Sequence, residues 1–458
     1  MSGAPRHRCC GEFTRSELAR RSLAEAGRGL PSIEPGMPAP AGTGLNRRSF
    51  MLRSGALALS VYGASLLKPQ AFVEGIAKAA ESQGKVLVSV FLEGGIDGLS
   101  ILSPVADDKY RQLRPQLRMA PGAGPAWSED SRLQWHPSAA PLHQLHGEGK
   151  VTVFPSIGYP SADQSHFTSR HYWEVGELSA RTNTGWLGRL LDVVGSDENP
   201  LQGLSLDGSL APSLATGRVP VAATWGPSYD LWAPGVWGDV EDLMFEAFRR
   251  LGVNAEKSRD AHLSGAGRVV RQAETLRQQL RAFSDEITSP VTYPDTGHFP
   301  ESLAGLAAML DAGLPITVAS VGAPGSYDTH DEQAEDFRNY LAETCDGLLA
   351  FQRDLEARGL DDRVITLAWS EFGRRPEENG SAGTDHGAGG NAFLIGSGAR
   401  GQMVGEWPGL NVLDEDDNLR STADFRAVYC SLIEQWFGVD ADAVIPGASG
   451  LARPVLIG

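Results

Sequence analysis

Hydrophobic residues fall along this chain in two alternating patterns. Short, unbroken apolar runs rich in β-branched residues occur at Lys85-Val-Leu-Val-Ser-Val-Phe-Leu92, Val151-Thr-Val-Phe154, Ile316-Thr-Val-Ala-Ser-Val321, Val364-Ile-Thr-Leu-Ala-Trp369 and Ala392-Phe-Leu-Ile395. A run that does not alternate with polar residues predicts a strand covered on both faces, as in a parallel sheet. Between these runs, residues 243–251, 267–283, 303–312 and 333–358 carry apolar positions at helical spacing. Strands alternating with helices predict a three-layer, doubly wound α/β fold with a mostly parallel sheet. Glycine and proline cluster in the connections, at 120–125, 322–325 and 379–390. No repeat, heptad run or low-complexity tract interrupts the pattern. The expected organisation is an N-terminal extension over 1–45, a leader over 46–79, and one α/β domain over 80–458, with an inserted subdomain near 195–290.

The leader stands out from the rest. Asn46-Arg-Arg-Ser-Phe-Met-Leu52 carries paired arginines followed by apolar residues, and Gly55-Ala-Leu-Ala-Leu-Ser-Val-Tyr-Gly-Ala-Ser-Leu-Leu67 comes next. That segment is too short and too rich in small residues to span a bilayer comfortably. Ala77-Lys78-Ala79 supplies small residues at a cleavage position. The pattern resembles a twin-arginine signal. It predicts export by the twin-arginine translocase, cleavage near Ala79, and a periplasmic or extracellular protein with no stable membrane insertion after cleavage. About 45 residues precede the motif, and Met37 offers a start that would shorten them.

Charge narrows the partners. The 458 residues carry a formal net charge of -17, and eleven of the 40 Lys/Arg but only five of the 57 Asp/Glu lie in residues 1–79. The remainder therefore sets 29 basic against 52 acidic residues, a surface that repels nucleic acid and anionic lipid. A locally positive or metal-filled cleft still accommodates a small anionic ester. Of four cysteines, Cys345 and Cys430 alone lie in the expected domain. Whether they pair is not decided by sequence. With no CxxC pair, a zinc ribbon and a thioredoxin-type site are both excluded.

In open α/β sheets ligands bind beyond the carboxyl ends of the strands. The residues just after each apolar run are therefore informative. Gly94-Gly-Ile-Asp97-Gly98 comes after the first, Tyr327-Asp328-Thr-His330 after the third, and Ser370-Glu371-Phe-Gly-Arg374 after the fourth; Gly383-Thr-Asp385-His386-Gly387 comes soon after. Several strand ends thus bring Asp, Glu or His to one rim, as oxygen and imidazole ligation of a divalent cation requires. Each residue also has a purely structural alternative. Asp97 and Asp328 are placed to cap helices, Glu371 to pair with Arg374 or Arg375, and Asp385 to close an Asx turn. Ser165, ahead of His166-Phe-Thr168, is placed either as a nucleophile at a helix N-terminus or as its N-cap. Gly396-Ser-Gly-Ala-Arg-Gly401 matches a dinucleotide pattern, but no helical segment comes after it, and the chain has neither a GxSxG elbow nor a P-loop.

Taken in order, Phe91-Leu-Glu-Gly-Gly-Ile-Asp-Gly98, Ser165-His-Phe167 with Tyr172-Trp-Glu174, Gly185-Trp-Leu-Gly188, Tyr327-Asp-Thr-His330, Ser370-Glu-Phe-Gly-Arg374 and Gly383-Thr-Asp-His-Gly387 resemble the twin-arginine-exported domain-of-unknown-function 1501 family. That family is grouped with the alkaline-phosphatase-like and sulfatase-like superfamily. The resemblance implies an alkaline-phosphatase-like fold with a divalent-metal centre at the strand ends. On it, Asp97, Asp328, His330, Glu371 and His386 hold metal, with Asp385 as an outer candidate. Zinc, calcium, magnesium and manganese all remain open. Ser165 or a metal-bound water attacks, and His166 or Arg374 steadies charge on the substrate. Glu371-Phe372 stands where the superfamily has Asp-His, so one imidazole is exchanged for a longer carboxylate. The expected function is an exported metal-dependent hydrolase of phosphate or sulfate esters. The alternative is a non-catalytic exported binding or assembly protein that keeps the fold with a degenerate metal site.

Overall fold

A computed structural model of the chain describes residues 61–62, 84–226, 238–283 and 287–458. The expected twin-arginine motif and the expected cleavage position at Ala79 lie outside them. Thirteen strands and ten α-helices succeed one another among the described residues. The strands are β1 (Val61–Tyr62), β2 (Val86–Phe91), β3 (Leu102–Ser103), β4 (Gln134–Trp135), β5 (Val151–Gly158), β6 (Gly203–Ser205), β7 (Val221–Ala223), β8 (Val318–Gly322), β9 (Val364–Trp369), β10 (Arg374–Glu378), β11 (Thr384–His386), β12 (Gly390–Ile395) and β13 (Ala423–Asp424). The helices are α1 (Gly98–Ile101), α2 (Asp108–Leu113), α3 (Ala140–Gly147), α4 (His166–Val175), α5 (Trp186–Val194), α6 (Asp239–Glu256), α7 (Ala261–Leu280), α8 (His298–Asp311), α9 (Gln333–Arg358) and α10 (Phe425–Gln435).

Among the described residues, nine strands form the central sheet in the order β1-β7-β6-β8-β2-β9-β12-β5-β13. The β2–β8, β2–β9, β6–β8, β6–β7 and β5–β13 pairs are parallel. β12 runs antiparallel to both β5 and β9, and β1 antiparallel to β7. The fold is α/β with a mostly parallel sheet, as the alternation of runs predicts. β12 is the departure. Its run is as apolar as its neighbours, because burial on both faces is what makes a strand read that way, whichever direction it runs.

The period-two geometry of β2 divides the core. Val86, Val88 and Val90 pack on one face with Leu341, Leu348, Phe351 and Leu355 of α9 and with Leu303 and Leu306 of α8. Leu87 and Phe91 pack on the other with Leu187 and Leu190 of α5 and Val428 and Leu432 of α10. Helices therefore cover both faces, giving three layers. Cys345 and Cys430 are both free and buried, and they belong to the two opposite cores. Within 195–290, β6 and β7 belong to the central sheet, while α6 and α7 pack against each other as a helical hairpin. Val61 and Tyr62, inside the apolar segment 55–67, pair with Ala222 and Val221 of β7.

Candidate metal centre

Four strand ends deliver the site. The loop after β5 leads into α4, where Ser165 is the N-cap and His166 the first helical residue. Tyr327-Asp328-Thr-His330 lies beyond β8, Ser370-Glu371 beyond β9, and the β10–β11 hairpin pairs Arg374 with His386. Close approach of these loops needs two glycines. Gly94 and Gly95 take φ of +113° and +76°, and a Cβ on them would lie 2.3 Å from the Asp328 backbone nitrogen and 2.2 Å from the Phe372 ring. Their amides donate to Glu371: Gly94 N at 3.0 Å to Oε1 and Gly95 N at 3.2 Å to Oε2.

Three imidazole Nε2 atoms and one carboxylate oxygen meet here. His386 Nε2 lies 3.0 Å from His166 Nε2 and 2.9 Å from His330 Nε2. Asp328 Oδ1 lies 3.3, 3.1 and 3.4 Å from the Nε2 atoms of His166, His330 and His386. The donor atoms of His166, Asp328 and His386 all fall within 4.8 Å of one another. The four side chains are between 5% and 18% exposed, so the cluster is largely shielded from water.

The far nitrogen of each ring dictates which atom carries the proton. His166 Nδ1 is 2.7 Å from Glu371 Oε1, His330 Nδ1 is 3.1 Å from Asp385 Oδ1, and His386 Nδ1 is 2.7 Å from the Gln164 carbonyl oxygen. All three partners accept, so all three Nδ1 atoms donate. In neutral rings, that leaves three Nε2 lone pairs aimed at one another and at an anionic oxygen. Arg374 supplies one positive charge, with Nη1 3.3 Å from His330 Nε2 and Nη2 on Asp328 Oδ1; the lone pairs of His166 and His386 call for more, either protons or a metal ion. Holding the second nitrogen of a ligating imidazole with a carboxylate or carbonyl is also how metal sites fix the ring tautomer. The donor set therefore fits a divalent ion of the zinc type.

Electrostatics agree. Burial disfavours the His166 imidazolium, but hydrogen bonds to Asp328 and Glu371 carry its pKa up to about 9. Burial would raise Asp328, yet hydrogen bonds from His166, His330 and His386 and the nearby Arg374 charge hold it far below the usual carboxylate range. Burial works on Glu371 in the same sense and is outweighed by His166, leaving its pKa lowered. Burial pushes His386 down, toward the neutral form a metal needs.

Arg374 closes the back of the cluster. Its side chain is fully buried. Nε donates to Gly95 O at 2.8 Å, Nη1 to Thr384 O at 2.7 Å, and Nη2 to Gly94 O and, at 2.6 Å, to Asp328 Oδ1. Nη1 also lies 3.3 Å from His330 Nε2, so Arg374 touches two members of the cluster, Asp328 and His330, as well as adding its charge.

The expected residues thus divide. His166, Asp328, His330 and His386 converge, with Glu371 and Asp385 behind two of the rings. His166, expected beside the substrate, is placed with the donors. Glu371 and Asp385, expected as ligands, hold His166 and His330. Ser165 sits one residue from His166; its Oγ accepts from Thr168 N at 3.5 Å, at the limit of a hydrogen bond. Asp97 stands apart from the expectation. It is fully buried and bound by both Nη atoms of Arg114, by Gln333 Nε2 at 2.6 Å and by Ser100 Oγ at 2.5 Å. Its carboxylate is already saturated by a guanidinium. Sequence reading missed Arg114, the Gln164 carbonyl, and Asn379, whose Nδ2 donates to Asp385 Oδ1 at 3.2 Å and to the His330 carbonyl at 2.8 Å. Gln164, just ahead of Ser165-His166, and Asn379, inside the glycine-rich stretch before Asp385, lay beside motifs; Arg114 did not.

Among known proteins, the family model described as "Protein of unknown function (DUF1501)" matches residues 240–453. That span holds Asp328, His330, Glu371, Arg374, Asp385 and His386 but neither Ser165 nor His166. No curated protein matches the chain. Similar solved structures include the PsFucS1 sulfatase from Pseudoalteromonas sp., at 13% identity and a TM-score of 0.35 over 86% of this chain and 78% of that one. The lipoteichoic acid synthase LtaP from Listeria monocytogenes is similar at 9% identity and 0.34 over 84% and 78%. A protein in the alkaline phosphatase superfamily from Vibrio parahaemolyticus is similar at 12% and 0.32 over 80% and 69%. None of these likenesses bears on what the site does.

Proposed function

We propose that the chain is an exported, metal-dependent hydrolase of phosphate or sulfate esters. The observation that carries this reading is the convergence of His166, His330 and His386 Nε2 with Asp328 Oδ1, each imidazole held from behind by an acceptor. A divalent ion bound there supplies Lewis acidity to an ester oxygen and favours deprotonation of the attacking group. The chain's own residues do the rest. Glu371, Asp385 and the Gln164 carbonyl keep the three Nε2 atoms facing inward. Arg374 adds a fixed positive charge beside Asp328, which favours an anionic group at the site. Ser165, at the N-terminus of ten-residue α4, is the candidate nucleophile, where the helix end favours an incoming anion. A water takes its place if the hydroxyl serves only as a cap.

The twin-arginine leader assigns the protein to the periplasm or the exterior, delivered folded by the translocase. Among the described residues no helix is long and apolar enough to cross a membrane. The acidic chain takes a small anionic ester at one positive site and no nucleic acid.

One observation favours the second reading, an exported binding or assembly protein. Asp97 and Asp328 are each neutralised by a buried arginine, so neither carboxylate needs an added cation. Elemental analysis of protein purified gently from the periplasm separates the two. The hydrolase reading expects about one tightly held divalent ion per chain and turnover of p-nitrophenyl phosphate or p-nitrophenyl sulfate. Substoichiometric metal that added zinc or manganese does not restore, with no turnover, establishes the binding protein instead.

A further inference from the structure

A second cluster lies on the same rim, over the other half of the sheet. Trp225 lies just beyond β7, Asp207 just beyond β6, and His298 opens α8. The Trp225 indole stacks on the His298 imidazole with centroids 4.3 Å apart and planes at 20°. One face is thus supported, yet the residue remains 54% exposed. An indole left this open forfeits burial that a core position would give it, on the order of 25 cal/mol per Å². Its backbone is nevertheless fixed. Trp225 bridges Asp207, with Gly208 N donating to Thr224 O at 2.7 Å and Gly226 N to Leu206 O at 2.9 Å. A side chain at Gly208 would press within 3.0 Å of the indole, so glycine there admits the ring.

The polar groups around the indole face the same opening. Asp207 accepts from Gly322 N at 3.1 and 3.0 Å and is about one-third exposed, which leaves lone pairs for further donors. His298 Nε2 lies 3.4 Å from Ser302 Oγ and 3.6 Å from Asp207 Oδ1. Among the described residues nothing hydrogen-bonds its Nδ1. An open aromatic face flanked by a carboxylate and an imidazole suits a ligand that offers C–H groups to the ring and hydroxyls at its edge. The carboxylate turns anions away.

We propose that Trp225, His298 and Asp207 form a binding platform for a neutral sugar ring. The proposal rests on the hydrolase reading in one respect. The metal cluster takes the anionic ester group, and the platform takes the carbohydrate that bears it. β6, β8 and β2 are adjacent, so the two sites are two to three strand spacings apart, about 10–15 Å along the rim. A short oligosaccharide spans that distance.

The test is isothermal titration calorimetry on the full chain, stripped of metal with EDTA, using maltohexaose, cellohexaose, xylohexaose, laminarihexaose and chitohexaose as probes. At least one should bind with a Kd of about 1 mM or tighter. Trp225→Ala should weaken it by about tenfold or more, Trp225→Phe should recover part of the loss, and Asp207→Asn should weaken it without disturbing the melting curve. The proposal is overturned if no saccharide binds, if Trp225→Ala and Asp207→Asn bind as the parent does, or if p-nitrophenol binds where sugars do not. Should Trp225→Ala fail to fold, Asp207→Asn alone decides. Binding is read without metal or turnover, so the two readings fail separately. Ester hydrolysis without saccharide binding removes only the platform; saccharide binding without a metal site removes only the hydrolase.

Discussion

Glu371→Gln is the substitution that asks most of the site. Glu371 Oε1 accepts from His166 Nδ1 at 2.7 Å, and Oε2 from Gly95 N at 3.2 Å, with Gly94 N shared between the two oxygens. A carboxylate accepts on both sides at once; an amide does not. If the glutamine oxygen faces His166, its NH2 meets the Gly94 and Gly95 N–H donors and a buried donor is stranded, at about 1–3 kcal/mol of stability. If the oxygen turns to the glycines, the NH2 faces His166 Nδ1. That nitrogen must then lose its proton, the proton moves to Nε2, and the lone pair aimed at the metal is gone. Losing such a supporting partner typically lowers metal affinity about 10- to 100-fold, equivalent to about 1.4–2.7 kcal/mol. The assay is competition with a chromogenic chelator, run beside a thermal melt of the metal-free protein. Affinity within about twofold of the parent, together with an unchanged melt, would refute the tautomer argument and the site built on it.

Other outcomes rest on the same contacts. Because His166 is raised from about 6.5 to about 9, its ion pairs stabilise the metal-free protein fully below the lower value. That stability is lost as pH rises through the upper one, so metal-free melting temperature should fall across this window while metal affinity rises; parallel changes would contradict it. Asp97→Ala strands the buried Arg114 charge and should cost about 3–5 kcal/mol in urea unfolding while leaving ligand donors intact; loss of metal from a folded variant would return Asp97 to the ligand set. Asp97 is held below its usual range, with burial opposed and outweighed by Arg114, so the pair's contribution persists above about pH 4 and disappears on further acidification. Ser165→Ala should keep its metal. It abolishes turnover if Ser165 is the nucleophile and otherwise costs about 1 kcal/mol as a lost cap. Replacing Arg47 and Arg48 with Lys should retain the protein in the cytoplasm, and undiminished export in a strain without the translocase would refute the leader assignment.

How much of this the sequence carries depends on how local the cause is. β9 is the six-residue apolar run itself, and α9 covers the periodic stretch 333–358, because burial on both faces or along one stripe writes itself into consecutive residues. β6 and β7 are three residues each, Gly-Leu-Ser and Val-Ala-Ala, and become strands by pairing with each other and with β8 and β1. No window of sequence records that. The site divides likewise. Asp328, His330, Glu371 and His386 are legible because strand ends in an open sheet converge. Their division into donors and supports is not, because it depends on which oxygen lies behind which ring. His166 shows this most clearly: beside Ser165 it reads as a neighbour of the chemistry, and only the fold turns its Nε2 toward Asp328.

Two buried arginines limit the kind of centre the proposed reading allows at this rim. Asp97, just after the first long strand, is among the residues the sequence marks as a metal ligand. Yet Arg114 holds both its oxygens, with neither side chain exposed, and further donates to the Arg375 and Pro376 carbonyls at 2.9 and 2.8 Å. Gln333 then ties Asp97 to the hydroxyls of Thr384 and Thr329. Freeing Asp97 for a metal would strand the guanidinium in a fully buried site, a penalty of several kcal/mol. Arg374 bears on Asp328 differently, because it contacts the same Oδ1 that the histidines face and also carries backbone carbonyls. A cation among the three Nε2 atoms would share that oxygen with the guanidinium, whereas a second cation near Asp97 would have to displace one. The donors within mutual reach, two imidazoles from His166 and His386 and the Asp328 carboxylate, match the three protein ligands of a single four-coordinate ion. An elemental ratio approaching two metals per folded chain would break this reasoning at its first step, the permanence of the Asp97–Arg114 pair.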